Sequence, residues 1–119
     1  MIEREWGSYG GIKITVAALS FDDFLVANNI QHVDLVKIDV ECGEHLVLKG
    51  AAQALADRRV DAWFIEAGNT AVTSLATLVS GLARRGFTAY RPTTRGWKRL
   101  PADLSSIAQV NVLFRRDAP

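Results

Sequence analysis

Four carboxylates carry most of the chemical potential of this sequence: Asp39, Glu41 and Glu44 in the run Asp39-Val40-Glu41-Cys42-Gly43-Glu44, and Glu66 further along. Acids gathered on one rim repel each other unless something positive or hydrogen-bonding lies between them. Three occupants would satisfy such a rim: a metal ion, a cationic or hydroxyl-rich ligand, or Lys37 with neighbouring backbone amides. No histidine-rich or EF-hand spacing favours the first, so no metal site is expected. A plainer reading gives Glu44 to the dipole of the helix it opens and pairs Lys37 with Asp39 on one strand face. Asp39 resists that reading, because an acid ending a buried strand is costly without a partner. Cys42 is a poor nucleophile beside carboxylates, which disfavour the thiolate. His45 is near enough in sequence to accept a proton, although a helix-surface role is simpler. His32 reads as loop.

The elements that must position these groups follow from periodicity and caps. Ser20 is an N-cap with Asp22 and Asp23 in the first turn, predicting a helix over Phe21–Ala27 that ends at Asn28-Asn29. Val33–Val40 is β-branched and alternating, which predicts a strand with Val36, Ile38 and Val40 on one face and Leu35, Lys37 and Asp39 on the other. A helix opens at about Gly43, with Leu46, Val47, Leu48, Ala51 and Leu55 on its apolar side and a break at Gly50. Val60–Ala67 reads as a second strand, and a strand–helix–strand unit of this length implies parallel neighbours. A helix is expected over Val72–Arg85, stopped by Gly86, with strands at Phe87–Arg91 and Gln109–Arg115. Lys13–Val16 reads as a short extended stretch, residues 1–12 as loop, and Pro92–Ser106 as a long loop. Asp39 and Glu41 then stand at the carboxyl end of the first parallel strand and Glu66 at that of the second, where open α/β sheets bind ligands.

Composition narrows the function classes. One domain is expected over residues 1–119, and its formal charge of +1 gives no general attraction to nucleic acid or anionic lipid. The single cysteine fits a reducing, cytoplasmic compartment. Residues 1–6 have no apolar core of a secretory signal, and no run nears the roughly 18 apolar residues that span a bilayer. Arg84, Arg85, Arg91, Arg95, Lys98 and Arg99, interleaved with Tyr90 and Trp97, are a basic segment able to hold phosphate or to lie solvated.

The segments Leu19-Ser20-Phe21-Asp22-Asp23-Phe24-Leu25 and Val33-Asp34-Leu35-Val36-Lys37-Ile38-Asp39-Val40-Glu41, then Glu44, Val47-Leu48-Lys49-Gly50-Ala51 and Phe64-Ile65-Glu66, resemble the FkbM-type methyltransferases. The likeness continues more weakly through Val110–Phe114. It implies the carboxy-terminal half of a Rossmann-like α/β fold: a mostly parallel sheet, an antiparallel final strand, and helices on the faces. It also implies S-adenosylmethionine as cofactor and a small-molecule acceptor, a sugar or secondary-metabolite hydroxyl. Asp39, Val40 and Glu41 would face the cofactor, with Glu44 and Glu66 toward the acceptor and Asp39, Glu41 or His45 in catalysis. Two departures stand out. Gly7-Ser8-Tyr9-Gly10-Gly11 reads as loop, not as the family's glycine-rich cofactor turn, so the chain is expected to be a fragment. The family also places glycine directly after the acid matching Glu41, whereas this chain has Cys42 and then Gly43, which is expected to redirect the turn.

A missing half would leave one edge of the Val33–Val40 strand unpaired, and a second chain could cover it. Two alternatives to a methyltransferase fragment therefore stay open: a non-catalytic dimerising or binding remnant of the fold, and a phosphate- or nucleotide-binding module built on the basic segment.

Overall fold

A computed structural model describes residues 12, 14–70 and 73–117 of the chain. Helix α1 (Phe21–Ala27) begins where its capping chemistry dictates. The Ser20 hydroxyl accepts from the Asp23 amide at 3.1 Å, and Asn29 closes the helix in the left-handed region at φ 53°. Strand β1 (Val33–Ile38) follows, two residues shorter than alternation predicts, so Asp39 and Val40 leave the ladder and enter the turn. Helices α2 (Glu44–Lys49) and α3 (Ala52–Ala56) are one amphipathic run divided at Gly50-Ala51, the break expected at Gly50. The Asp22 carboxylate caps α3 from outside, accepting from the Gln53 and Ala54 amides at 2.8 and 2.9 Å, and so locks α1 to α3.

Strand β2 (Val60–Gly68) pairs parallel with β1, as the intervening helical segment requires. Helix α4 (Leu75–Ala83) starts at a Ser74 cap that accepts from the Thr77 amide, later than the expected Val72, which itself lies outside the described residues. Strands β3 (Phe87–Thr93), β4 (Gly96–Arg99) and β5 (Gln109–Arg116) complete a sheet of order β1-β2-β5-β3-β4. The stretch read as loop over Pro92–Ser106 thus contains a hairpin. Gly96 turns it at φ 103°, and backbone pairing needs no apolar alternation to form it.

Two expectations about the sheet are corrected. It is mixed, not mostly parallel: among the described residues only β1–β2 is a parallel pair, because the antiparallel β5 inserts between β2 and β3. The antiparallel final strand is as expected. Nor do helices cover both faces among the described residues. Ile38, Trp63, Ile65, Ala67, Val112, Phe114, Phe87 and Ala89 share one face by register and form a single buried cluster with Leu55, Leu75 and Leu82 from the helices. The ring of Phe21 packs on Trp63 at 5.5 Å, so α1 lies on that face too. The opposite face carries Leu35, Lys37, Phe64, Glu66, Asn111 and Leu113, none of them fully buried. Strand alternation is the reason: Lys37 of β1 and Glu66 of β2 stand on that side near the carboxyl rim, and a helix laid over them would bury unpaired charge.

Ile14–Val16, read as an extended stretch, joins no strand, and Lys13 lies outside the described residues, as does the loop assigned to Gly7–Gly11. Among the described residues no helix is long and apolar enough to cross a membrane.

Candidate functional site

The parallel pair β1–β2 ends at Ile38↔Ile65, and both chains continue past it to acids. Asp39, Glu41, Cys42 and Glu44 from the turn, Glu66, Ala67 and Gly68 from β2, Thr70, and Ala108 and Gln109 at the start of β5 line one hollow of about 470 Å³. That volume suits a small ligand, whose sites span roughly 300–1,000 Å³. All four carboxylates singled out in the sequence therefore meet at one place.

Their environments differ. Glu44 is buried, 7% exposed, and accepts a hydrogen bond from the Cys42 amide at 3.3 Å. It fastens the turn to α2, as a first-turn acid can. Asp39 and Glu41 are exposed to the hollow. Glu66 is half-buried, and its carboxyl holds a proton above the usual range, chiefly because it hydrogen-bonds to Asp39 and feels that residue's charge. Partial burial and the charge of Glu41 push the same way, while Lys37 opposes them. The Gln109 amide donates to Glu66 Oε1 from the first residue of β5. Val40 turns its side chain toward the core cluster, which leaves its backbone as the part able to face a ligand.

The turn itself is strained. Glu41 and Cys42 adopt φ of 47° and 71°, two consecutive non-glycine residues in the left-handed region. Cysteine, expected to redirect the chain here, instead occupies the conformation that glycine enters freely, at a cost on the order of 1–2 kcal/mol.

His45 is not brought to this site. It lines a separate hollow with Leu48, Leu55, Thr77, Leu78 and Arg84, between α2, α3 and α4, and its Nδ1 is buried there without a hydrogen-bond partner. An imidazole on the second residue of α2 points away from the turn that precedes the helix.

Two features escaped the sequence. Asn69 anchors the far wall of the carboxylate hollow: its Nδ2 donates to the carbonyls of Leu104 and Ile107 at 2.9 Å, and its Oδ1 accepts from the Leu75 amide at 3.0 Å. Beside it Gly68 is obligatory, because a Cβ there would collide with the Ala108 carbonyl. An asparagine after a strand and glycine is an ordinary turn signal, so only its distant partners reveal the role. The second feature is a knot of His32, Asp34 and Asp61 at the opposite end of the strands, with His32 Nε2 3.0 Å from Asp61 and 3.4 Å from Asp34. All three are exposed, and ion pairing accounts for them.

No curated protein and no solved structure matches the chain. The methyltransferase FkbM domain, however, matches residues 3–89, a span that takes in the acidic turn and both parallel strands and stops within β3. With well over half of its length so matched, the chain belongs to the FkbM methyltransferase family.

Proposed function

We propose that this chain forms part of an S-adenosylmethionine-dependent methyltransferase that transfers a methyl group to a hydroxyl of a sugar or secondary-metabolite acceptor. The observation that carries this reading is the convergence of Asp39, Glu41 and Glu66 on one hollow at the carboxyl rim of the parallel pair. Family membership adds the reaction class. The order β1-β2-β5-β3, with its one reversed strand, is read as the carboxy-terminal part of a Rossmann-like sheet.

The donor set fits the cofactor's chemistry in part. Ionised carboxylates only accept hydrogen bonds, so this rim suits a hydroxyl-rich or positively charged molecule and repels an anion. Among the described residues no strand is followed by a glycine-rich loop, and that portion of the cofactor site is assigned to another segment or chain. S-adenosylmethionine supplies an activated methyl group when bound. Asp39, with the Val40 backbone, orients cofactor and acceptor; in-line alignment supplies most of the acceleration. Glu41 and Glu66 accept the hydroxyl proton, and Glu66 is the stronger base of its kind because its pKa is raised. Glu44 and Gln109 hold the acids in place.

Calorimetric titration with S-adenosylmethionine tests this. Saturable heat that weakens in Asp39→Asn and Glu41→Gln supports the assignment, whereas absence of heat at millimolar cofactor removes cofactor binding from this chain. A second reading, a non-catalytic dimerising module, draws on the outer edge of β1, which pairs with no strand among the described residues, and on Leu35, 55% exposed, beside it. A stable symmetric dimer that gives no heat with the cofactor would favour it.

A further inference from the structure

The net charge of +1 conceals a separation of charge along one rim. Tyr90–Arg99 carries Arg91, Arg95, Lys98 and Arg99 and no acid, whereas Asp39–Glu44 carries three acids and no base. Both stand at the same end of the sheet. The β3–β5 ladder ends at Tyr90↔Leu113, and beyond it, as far as Thr93↔Gly96, β3 pairs with β4 alone. Alternation sets Arg91 on the face of Phe87 and Ala89, away from that of Glu66.

Within the hairpin Arg91 faces Lys98 directly across the ribbon. Like charges so opposed destabilise a sheet unless an anion lies between them. Arg99 is engaged by Asp117 at 3.5 Å, but among the described residues no carboxylate pairs with Arg91, Arg95 or Lys98. The tip is also held in shape: Thr93 Oγ1 donates to the Gly96 carbonyl at 2.7 Å and accepts from the Arg95 amide at 3.2 Å. Unlike a solvated basic tail, this is a set of cations on a fixed scaffold. The family match stops at residue 89, before the hairpin's cations.

We infer that the β3–β4 hairpin is an anion-holding arm, whose Arg91, Arg95 and Lys98 take the phosphate group of a small phosphorylated molecule. That statement does not rest on the methyl-acceptor reading of the hollow.

The test is a titration of the isotopically labelled chain with inorganic pyrophosphate at low salt, followed by amide and indole NMR signals. Saturable shifts confined to Thr93–Lys98 and the Trp97 indole are expected, with affinity about tenfold weaker in Arg91→Gln/Lys98→Gln, which leaves the core signals in place. Equal shifts at Arg58, Arg59, Arg84 and Arg85, no saturation at millimolar pyrophosphate, or unchanged affinity in the double variant would overturn the arm. Single-stranded DNA binding that pyrophosphate fails to displace would overturn the small-anion assignment.

Discussion

In the acidic corner two consecutive residues with side chains, Glu41 and Cys42, are held at positive φ; in the basic hairpin the one positive φ belongs to Gly96. Both regions turn the chain sharply at the same rim and both crowd like charges. The corner does so with conformational strain and a carboxyl whose pKa its acidic neighbours raise, the hairpin with a relaxed glycine turn and side chains facing water. Strain concentrated on one side of a rim, where a ligand-sized hollow also opens, is the pattern of a site that must hold groups against their own repulsion. The hairpin's cations can wait in solvent for their partner.

Several changes would break or sharpen that contrast. The largest effect is expected from Asp39→Asn: methyl transfer by the assembled enzyme should fall on the order of 100-fold, while pyrophosphate binding by the hairpin stays unchanged. Asn69→Ala, which removes three hydrogen bonds between the corner's far wall and the rest of the fold, should cost about 2–3 kcal/mol in urea unfolding. Paired substitutions then test the strain directly and with opposite sign. Cys42→Gly should stabilise the chain by about 1 kcal/mol, and Gly96→Ala should destabilise it by about the same amount, both read from denaturant midpoints.

The smallest effect is one of pH. The folded pKa of Glu66 lies above the ordinary glutamate value of 4.5, so the folded state holds that proton more tightly than the unfolded chain. Its contribution to stability is present below the unfolded pKa and is lost as pH rises through the folded one. Glu66→Gln should therefore flatten the stability profile above pH 4.5 and melt slightly higher than the parent at neutral pH, by a margin that shrinks with added salt. A variant that melts lower at neutral pH would show that the Gln109 contact outweighs the repulsion.

Most of the corner was legible because its signals are local. Ser20 caps α1, β-branched alternation marks β1, and the acids fall where the ladder ends. Two errors have a common cause. β4 is a four-residue edge strand whose Trp97 and Lys98 carry no apolar period, and its existence depends on β3 running on past Tyr90. The reversed β5 between β2 and β3 is likewise a matter of pairing at a distance, which periodicity does not encode. His45 was misplaced for a different reason. Proximity in sequence to Glu41 and Cys42 says little about proximity in space once a sharp turn and a helix start intervene, and α2 carries the imidazole into another hollow. Asn69 was unreadable because two of its three partners lie 35 and 38 residues away.

The tighter hold of Glu66 on its proton beside Asp39 has a thermodynamic consequence for whatever enters the hollow. A positively charged guest offsets the repulsion that raises the Glu66 pKa, so its arrival should expel hydrogen ions into solution at pH values where that carboxyl titrates. Heats of association measured in buffers of differing ionisation enthalpy should then diverge, in proportion to the fraction of a proton released. An uncharged guest would give the same heat in every buffer.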